Sequence, residues 1–335
     1  MSRDESLDVL KGIGITLMIF NHVYFGEVVH HYVQSFHMPL FFIASGFLWK
    51  DKGESLCEHI RYKIKKLAIP YFFWGSLFCL TWSIINVVMS TGDNLLEGWV
   101  KLFLFSTNGI PYAVAIWYLA SFFWCELLYF ILKRAIKSNV TCSIVFIIIA
   151  VSGCIISGLF AIDIIPWGIE PALTGCLFMN IGEILRTAVI PKVNIVNMDK
   201  RILPVIILIQ IIMAFINPTI DMRTSRYCIV PFYFLNGILG TIVWWNISNV
   251  LLVSHLPGVD KITGILKYIS RFSIVFLCTN SFLTTVAKRI ADFGAAGNIL
   301  IELILKIVLG IAVMVICWGI SEFMSKGKRK ILIGR

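Results

Sequence analysis

Charged side chains are scarce in this chain. Asp, Glu, Lys and Arg make up 14% of its 335 residues against 58% hydrophobic, too little polarity to cover a soluble surface of this size. Cysteine pairs spaced for a metal or redox site are also lacking. The nine cysteines are scattered, and Cys79, Cys125, Cys154 and Cys317 fall inside apolar runs, where buried thiols are expected in place of disulfides or zinc ligands. No metal is expected. The first apolar run has no basic leader and no small-residue cleavage site, and it contains Asp8, Lys11 and His22; it reads as a retained segment and not as a cleaved signal peptide. No repeat, low-complexity tract or composition break divides the chain, so a single domain over 1–335 is expected, without a soluble C-terminal extension.

What the chain does contain is a succession of apolar runs of about twenty residues, the length that crosses a bilayer as a helix. The expected fold is an all-α polytopic transmembrane bundle of about ten spanning helices, near 8–29, 34–50, 68–90, 113–133, 140–162, 169–187, 203–218, 228–253, 267–287 and 298–322. The net charge of +10 would suggest nucleic acid in a soluble protein. Here the basic residues gather in short loops: Lys50 to Lys66, the turn of Lys133, Arg134 and Lys137, Arg186 to Arg201, and the tail of Lys326, Lys328, Arg329 and Lys330. Under the positive-inside rule this places both termini in the cytoplasm. The opposite loops carry Asp93, Glu97, Asp163 and Glu170, with Arg223, Arg226, Lys288 and Arg289 as exceptions. In the longest of them, 92–108, Leu95, Trp99, Leu102 and Phe103 recur at helical spacing. That pattern suits an interfacial amphipathic helix or, alternatively, a lid over an outward pocket.

One stretch, 3–50, is not explained as a lipid anchor. It carries Asp8, Lys11, His22 and His37 within apolar sequence, and such groups are expensive in hydrocarbon unless they face one another or a cavity. At 100° per residue, Lys11 and His22 lie nearly three full turns apart, on one helix face and about 16 Å apart along the axis. Asp8 falls near the same stripe, one turn from Lys11, and can pair with it. An imidazole takes and returns a proton near neutral pH, so His22 is a candidate general base; the competing reading is a neutral His bonded across a helix interface. Pro39 suits a helix's first turn or a break, which would let His37 share the site; the competing reading places His37 at the outer interface. His30 and His31 read as surface residues. Glu126 lies deep in an apolar run and is expected to face a partner or cavity, and Trp117 and Tyr118 read most simply as an aromatic belt.

The pattern of Arg3, then Asp8-x-x-Lys11-Gly12-Ile13, a helix ending in His22, then Phe36-His37-Met38-Pro39-Leu40-Phe41-Phe42 followed by Ser45-Gly46, resembles the acyltransferase family 3 of integral membrane proteins. Its similarity is greatest to the branch related to fucose 4-O-acetylases and bacterial polysaccharide O-acetyltransferases. The family's basic residue and His with ten positions between them are matched by Lys11 and His22, with Lys for the commoner Arg. Lys63-x-x-Lys66 ahead of Pro70 resembles its Arg-x-x-Arg motif, and Trp117-Tyr118-Leu119 with Glu126 resembles its Trp-Phe-Leu segment with a later Glu. Asn280 stands where relatives commonly place a His. Asn can hydrogen-bond but not shuttle a proton.

The resemblance implies an O-acyltransferase, in the first place an O-acetyltransferase, of the bacterial cell membrane. Acetyl-CoA would be the acyl donor from the cytoplasm, and the acceptor a hydroxyl of a surface polysaccharide or its lipid-linked precursor. His22, His37, Asp8 and Glu126 are then the candidate catalytic residues. Lys11, Arg61, Lys63 and Lys66 would hold the donor, and Trp117, Tyr118 and Asn280 would contact the acceptor. The expected partners are the lipid bilayer, the glycan and the polysaccharide biosynthesis machinery, and not nucleic acid. A transporter or flippase, or a structural subunit of a polysaccharide synthase, remains as an alternative. The paired broken helices of an inverted-repeat transporter are not evident.

Overall fold

Helix α1 (Glu5–Val23) stops well before the 29 expected from hydropathy, because Tyr24 (φ 70°) and Gly26 (φ 101°) both take positive φ and reverse the chain. A short helix α2 (Glu27–Gln34) follows, and α3 (His37–Leu48) returns, with Pro39 in its first turn where the missing N–H costs nothing. The computed structural model describes residues 5–90, 92–159, 166–199, 201–254, 256–295 and 297–335. Arg3, Asp163 and Lys200 of the loop up to Arg201 lie outside the described residues.

The amide of Ser55 and the Glu58 carboxylate form a capping box that starts α4 (Leu56–Lys63). The chain then widens into a π-turn over Ile64–Ala68 and continues as α5 (Ile69–Met89). Pro70 in that first turn of α5 offers no N–H to the Lys66 carbonyl, and the wider turn absorbs the missing bond. Helix α6 (Leu95–Phe103) is capped by Asn94 and docks on α5, where the Tyr71 hydroxyl donates to the Leu102 carbonyl at 2.6 Å. The remaining helices are α7 (Trp117–Ala135), α8 (Asn139–Leu159), α9 (Ile169–Ile184), α10 (Leu203–Ile216), α11 (Val230–Val253), α12 (Val259–Arg271), α13 (Ser273–Ala295) and α14 (Ile299–Met324). Among the described residues the only β pairing is a bridge between Asp221 and Arg226.

The protein is an all-α helical bundle, and among the described residues eight helices are long and apolar enough to cross a membrane. Ten runs were expected, and two prove short: α3 has 12 residues and α10 has 14, about 18 and 21 Å against a hydrocarbon core of about 30 Å. The run expected at 267–287 is instead split at Phe272 between α12 and α13. Helix α1 is the centre of the bundle, packed by α3, α11, α12, α13 and α14, and 67% of its apolar window is buried against 17% for α14. The outer helices expose rows of Ile, Val and Leu, such as Ile144, Ile148, Val151 and Ile155 on α8, a surface made for lipid. Two glycines let α3 and α9 touch backbone to backbone. A Cβ on Gly46 would meet the Met179 carbonyl oxygen at 1.9 Å, and one on Gly182 the Ile43 carbonyl oxygen at 2.1 Å.

Candidate active site

His22 is the last turn of α1 and His37 the first residue of α3, so the reversal at 24–36 brings their side chains into one cavity of about 330 Å³. His37 is buried, and its Nδ1 donates to the Val33 carbonyl at 2.8 Å. That bond fixes the tautomer and leaves Nε2 of the neutral ring as an acceptor. None of the described residues hydrogen-bonds either ring nitrogen of His22, so its imidazole is free to engage what enters the cavity. His30 is not a surface residue as expected: it is half-buried, lines the same cavity, and its Nδ1 donates to the Asn21 side-chain oxygen at 3.1 Å. Burial lowers its pKa. His31, by contrast, donates to the Ala214 carbonyl and tethers α2 to α10.

The other end of α1 opens on a larger, basic chamber of about 1420 Å³, where Lys11, Lys50, Lys66, Arg186, Arg271 and Arg335 outnumber Glu5 and Asp8. Because Glu5 and Arg335 line one chamber, the first and last described residues lie at the same end of the bundle. Between chamber and cavity runs a throat of about 240 Å³ walled by Ile15, Phe41, Leu119, Phe122 and Leu277. Lys11 and Leu48 belong to both chamber and throat, and Leu277 to both throat and His22 cavity. The three spaces therefore adjoin in series, with Lys11 and His22 about 16 Å apart along α1.

The structure divides the residues singled out from the sequence between the two ends. Asp8 pairs with Lys11 at 3.2 Å and accepts from the Ser270 hydroxyl, some 21 Å along α1 from His22; it does not share a cavity with the histidines. Glu126 is also remote from them. Its carboxylate binds the Lys63 ammonium at 2.8 Å and accepts from Ser45 at 2.9 Å, in a side pocket that shares Lys50 and Tyr62 with the chamber. Lys63 and Lys66 line different spaces: Lys66 faces the chamber while Lys63 turns to Glu126, and their ammonium groups lie 5.7 and 5.6 Å, respectively, from the centre of the Tyr62 ring. Arg61 is exposed on α4 and lines none of these spaces. Trp117 and Tyr118 are buried and not in a lipid-facing belt; Trp117 walls the His22 cavity and Tyr118 the throat, edge-on to Phe42. Asn280 is fully buried, spends its amide on the carbonyls of Phe276 and Leu277, and lines neither cavity nor throat.

The sequence reading missed Arg186 and Arg271 in the chamber, and Asp221, Arg223 and Lys288 in the His22 cavity. A signal for two of these was present, since Arg223 and Lys288 are cations on the side where the positive-inside rule expects few. The amphipathic helix expected in 92–108 is α6, and none of its residues lines the His22 cavity; the lid alternative finds no support.

Comparison with known proteins agrees with the resemblance. A sequence model described as an acyltransferase domain, of the acyltransferase family 3, matches residues 4–322. Nodulation protein NolL of Mesorhizobium japonicum is 34% identical over 110 residues, which cover 29% of this chain and only 30% of that relative's length. No solved structure matches the chain significantly.

Proposed function

Since the chain belongs to the acyltransferase family 3, we propose that it is a multi-pass O-acyltransferase of the bacterial cell membrane that moves an acetyl group from acetyl-CoA to a hydroxyl of a surface glycan or its lipid-linked precursor. The observation that carries this reading is the series of chamber, throat and cavity. Six cations in a large chamber suit the phosphates of the donor, and a narrow apolar throat suits an extended thioester arm. The unbonded imidazole of His22 waits at the far end. Lys11 stands where chamber and throat meet, and Lys66, Arg186 and Arg271 join it as phosphate ligands, whereas Lys63 is already committed to Glu126.

In the reaction His22 removes the proton from the acceptor hydroxyl as its oxygen attacks the thioester carbonyl; the C–S bond breaks and the departing thiolate takes the proton back from the imidazolium. His37, tautomer fixed by Val33, orients the acceptor in the same cavity. Asp8 and Glu126 act electrostatically at the donor end, as partners of Lys11 and Lys63, and not as bases. The chamber faces the cytoplasm, where acetyl-CoA is made and where the basic loops belong.

The test is mass spectrometry of cell-surface glycans from cells carrying the intact chain or His22→Ala. Loss of acetyl mass with glycan export and membrane insertion unchanged is the expected result. An active His22→Ala variant removes His22 from the mechanism, and loss of the glycan itself from the surface points to transport instead.

A further inference from the structure

The His22 cavity contains more positive charge than hydroxyl chemistry calls for. Arg223 comes from the turn that the Asp221–Arg226 bridge closes, with backbone bonds of 2.8 and 2.9 Å, and its guanidinium donates to the Thr107 carbonyl. Among the described residues, Asp221 is the one acid on the cavity wall. One of its oxygens is spent on the Arg223 amide at 2.9 Å, and the other stands 3.6 Å from the guanidinium, a loose pairing that leaves donors unused. Lys288 enters from α13. No described carboxylate lies within ion-pairing distance of its ammonium, which rests instead over the Tyr24 ring at 4.5 Å. The Tyr24 hydroxyl in turn donates to Glu27, outside the cavity wall. By contrast, Lys306, which also approaches Tyr24, is neutralised by Glu302.

Two cations from separate segments thus converge, incompletely neutralised, on a half-enclosed space at the low end of the roughly 300–1,000 Å³ typical of small-ligand sites. A neutral sugar would be read by amides and hydroxyls and would leave both charges unanswered, at a desolvation cost. A charge-bearing one satisfies them, and Arg offers a planar fork suited to carboxylate or phosphate oxygens. Resting on the function proposed above, we infer that the acceptor is anionic: an oxyanion of the glycan, a sugar carboxylate or a sugar or carrier phosphate, is held by Arg223 and Lys288 and so sets the acceptor hydroxyl against His22.

The test is protection of the cavity histidines from diethyl pyrocarbonate, read at His22 and His30 by peptide mass spectrometry on the full chain in lipid nanodiscs. The probes are methyl glucuronide, methyl glucoside 6-phosphate and neutral methyl glucoside. The charged probes should protect at concentrations roughly tenfold or more below the neutral one, and Lys288→Gln or Arg223→Gln should each forfeit that advantage. Lys288→Arg, which keeps the charge, should retain it and so controls for misfolding. Protection by the glucuronide alone identifies a sugar acid, by the phosphate alone a phosphate; both support the inference. Equal protection by the neutral glucoside, full protection in the Gln variants, or a His22 that never reacts in the free chain overturns it. The readout uses no acyl donor, so the two failures are distinguishable: a chain that binds the anions but transfers nothing refutes the acyltransferase reading and keeps only the anion site of Arg223 and Lys288, whereas one that transfers acyl groups but does not favour the anions refutes this inference alone.

Discussion

Adding a single methyl group at Gly46 should disable the protein without touching its chemistry. The Cβ of Gly46→Ala would lie 1.9 Å from the Met179 carbonyl oxygen and 2.5 Å from its carbon, whereas real Cβ atoms essentially never come within 3.0 Å of a heavy atom elsewhere in the chain. The obstacle is the backbone of α9 and cannot rotate away, so α3 must retreat by about 1 Å. Helix α3 carries His37 at one end and lines the throat with Phe41 and Ser45. A displacement of that size in a positioning element costs on the order of 10²-fold in rate, and the overpacking costs about 1–3 kcal/mol of stability. The assay is acetyl transfer in nanodiscs together with thermal unfolding in detergent. Gly264→Ala is the control: it is helical with nothing near its Cβ, so it should keep its rate and gain about 0.5–1 kcal/mol. A Gly46→Ala protein with the parent's rate and melting temperature would refute the backbone contact and the argument built on it.

Glu126→Ala should cost about 3–5 kcal/mol, because it strands the largely buried Lys63 ammonium. The double variant Glu126→Leu with Lys63→Met should recover most of that loss in the same unfolding assay, and equal losses would show that the pair is not acting as one. Lys11→Ala should raise the KM for acetyl-CoA by roughly tenfold with a smaller change in kcat, measured by initial rates; an unchanged KM would remove Lys11 from the donor site. At the basic end, hydrogen bonding from Arg134 holds the Asp51 carboxyl below its usual value of 3.8. A depressed carboxylate adds stability above its unfolded pKa and loses it as pH falls through the folded one. Asp51→Asn should therefore lower the melting temperature at pH 7, with the gap closing below about pH 4.

Helix geometry made part of this legible in advance. The near-integral number of turns between Lys11 and His22 placed both on one face, and the structure puts them at the two ends of one series of spaces. Hydropathy located the spans but not their ends, because Tyr24 in a left-handed conformation is an ordinary tyrosine in the sequence. The belt expected of Trp117 and Tyr118 failed for a related reason: amphipathic aromatics suit a membrane interface and a cavity wall equally well. The Lys63–Glu126 pair joins helices far apart in the chain, and no local periodicity reports such a contact. It also gives Lys63 a partner that Lys66 does not share, since a distant carboxylate takes one ammonium while the other lines the chamber.

With the proposed placement in the bacterial cell membrane, the short apolar throat bears on the cell's energy supply. Two half-open recesses lined with titratable groups, at Lys11 and at His22, lie here about 16 Å apart along α1, about half the hydrocarbon thickness that normally keeps protons on their own side. Were the constriction wet, the histidines would carry a steady proton leak. Ile15, Phe41, Leu119, Phe122 and Leu277 are thus an electrical seal as much as a passage, and polar substitutions among them should be toxic to a respiring cell even where catalysis survives.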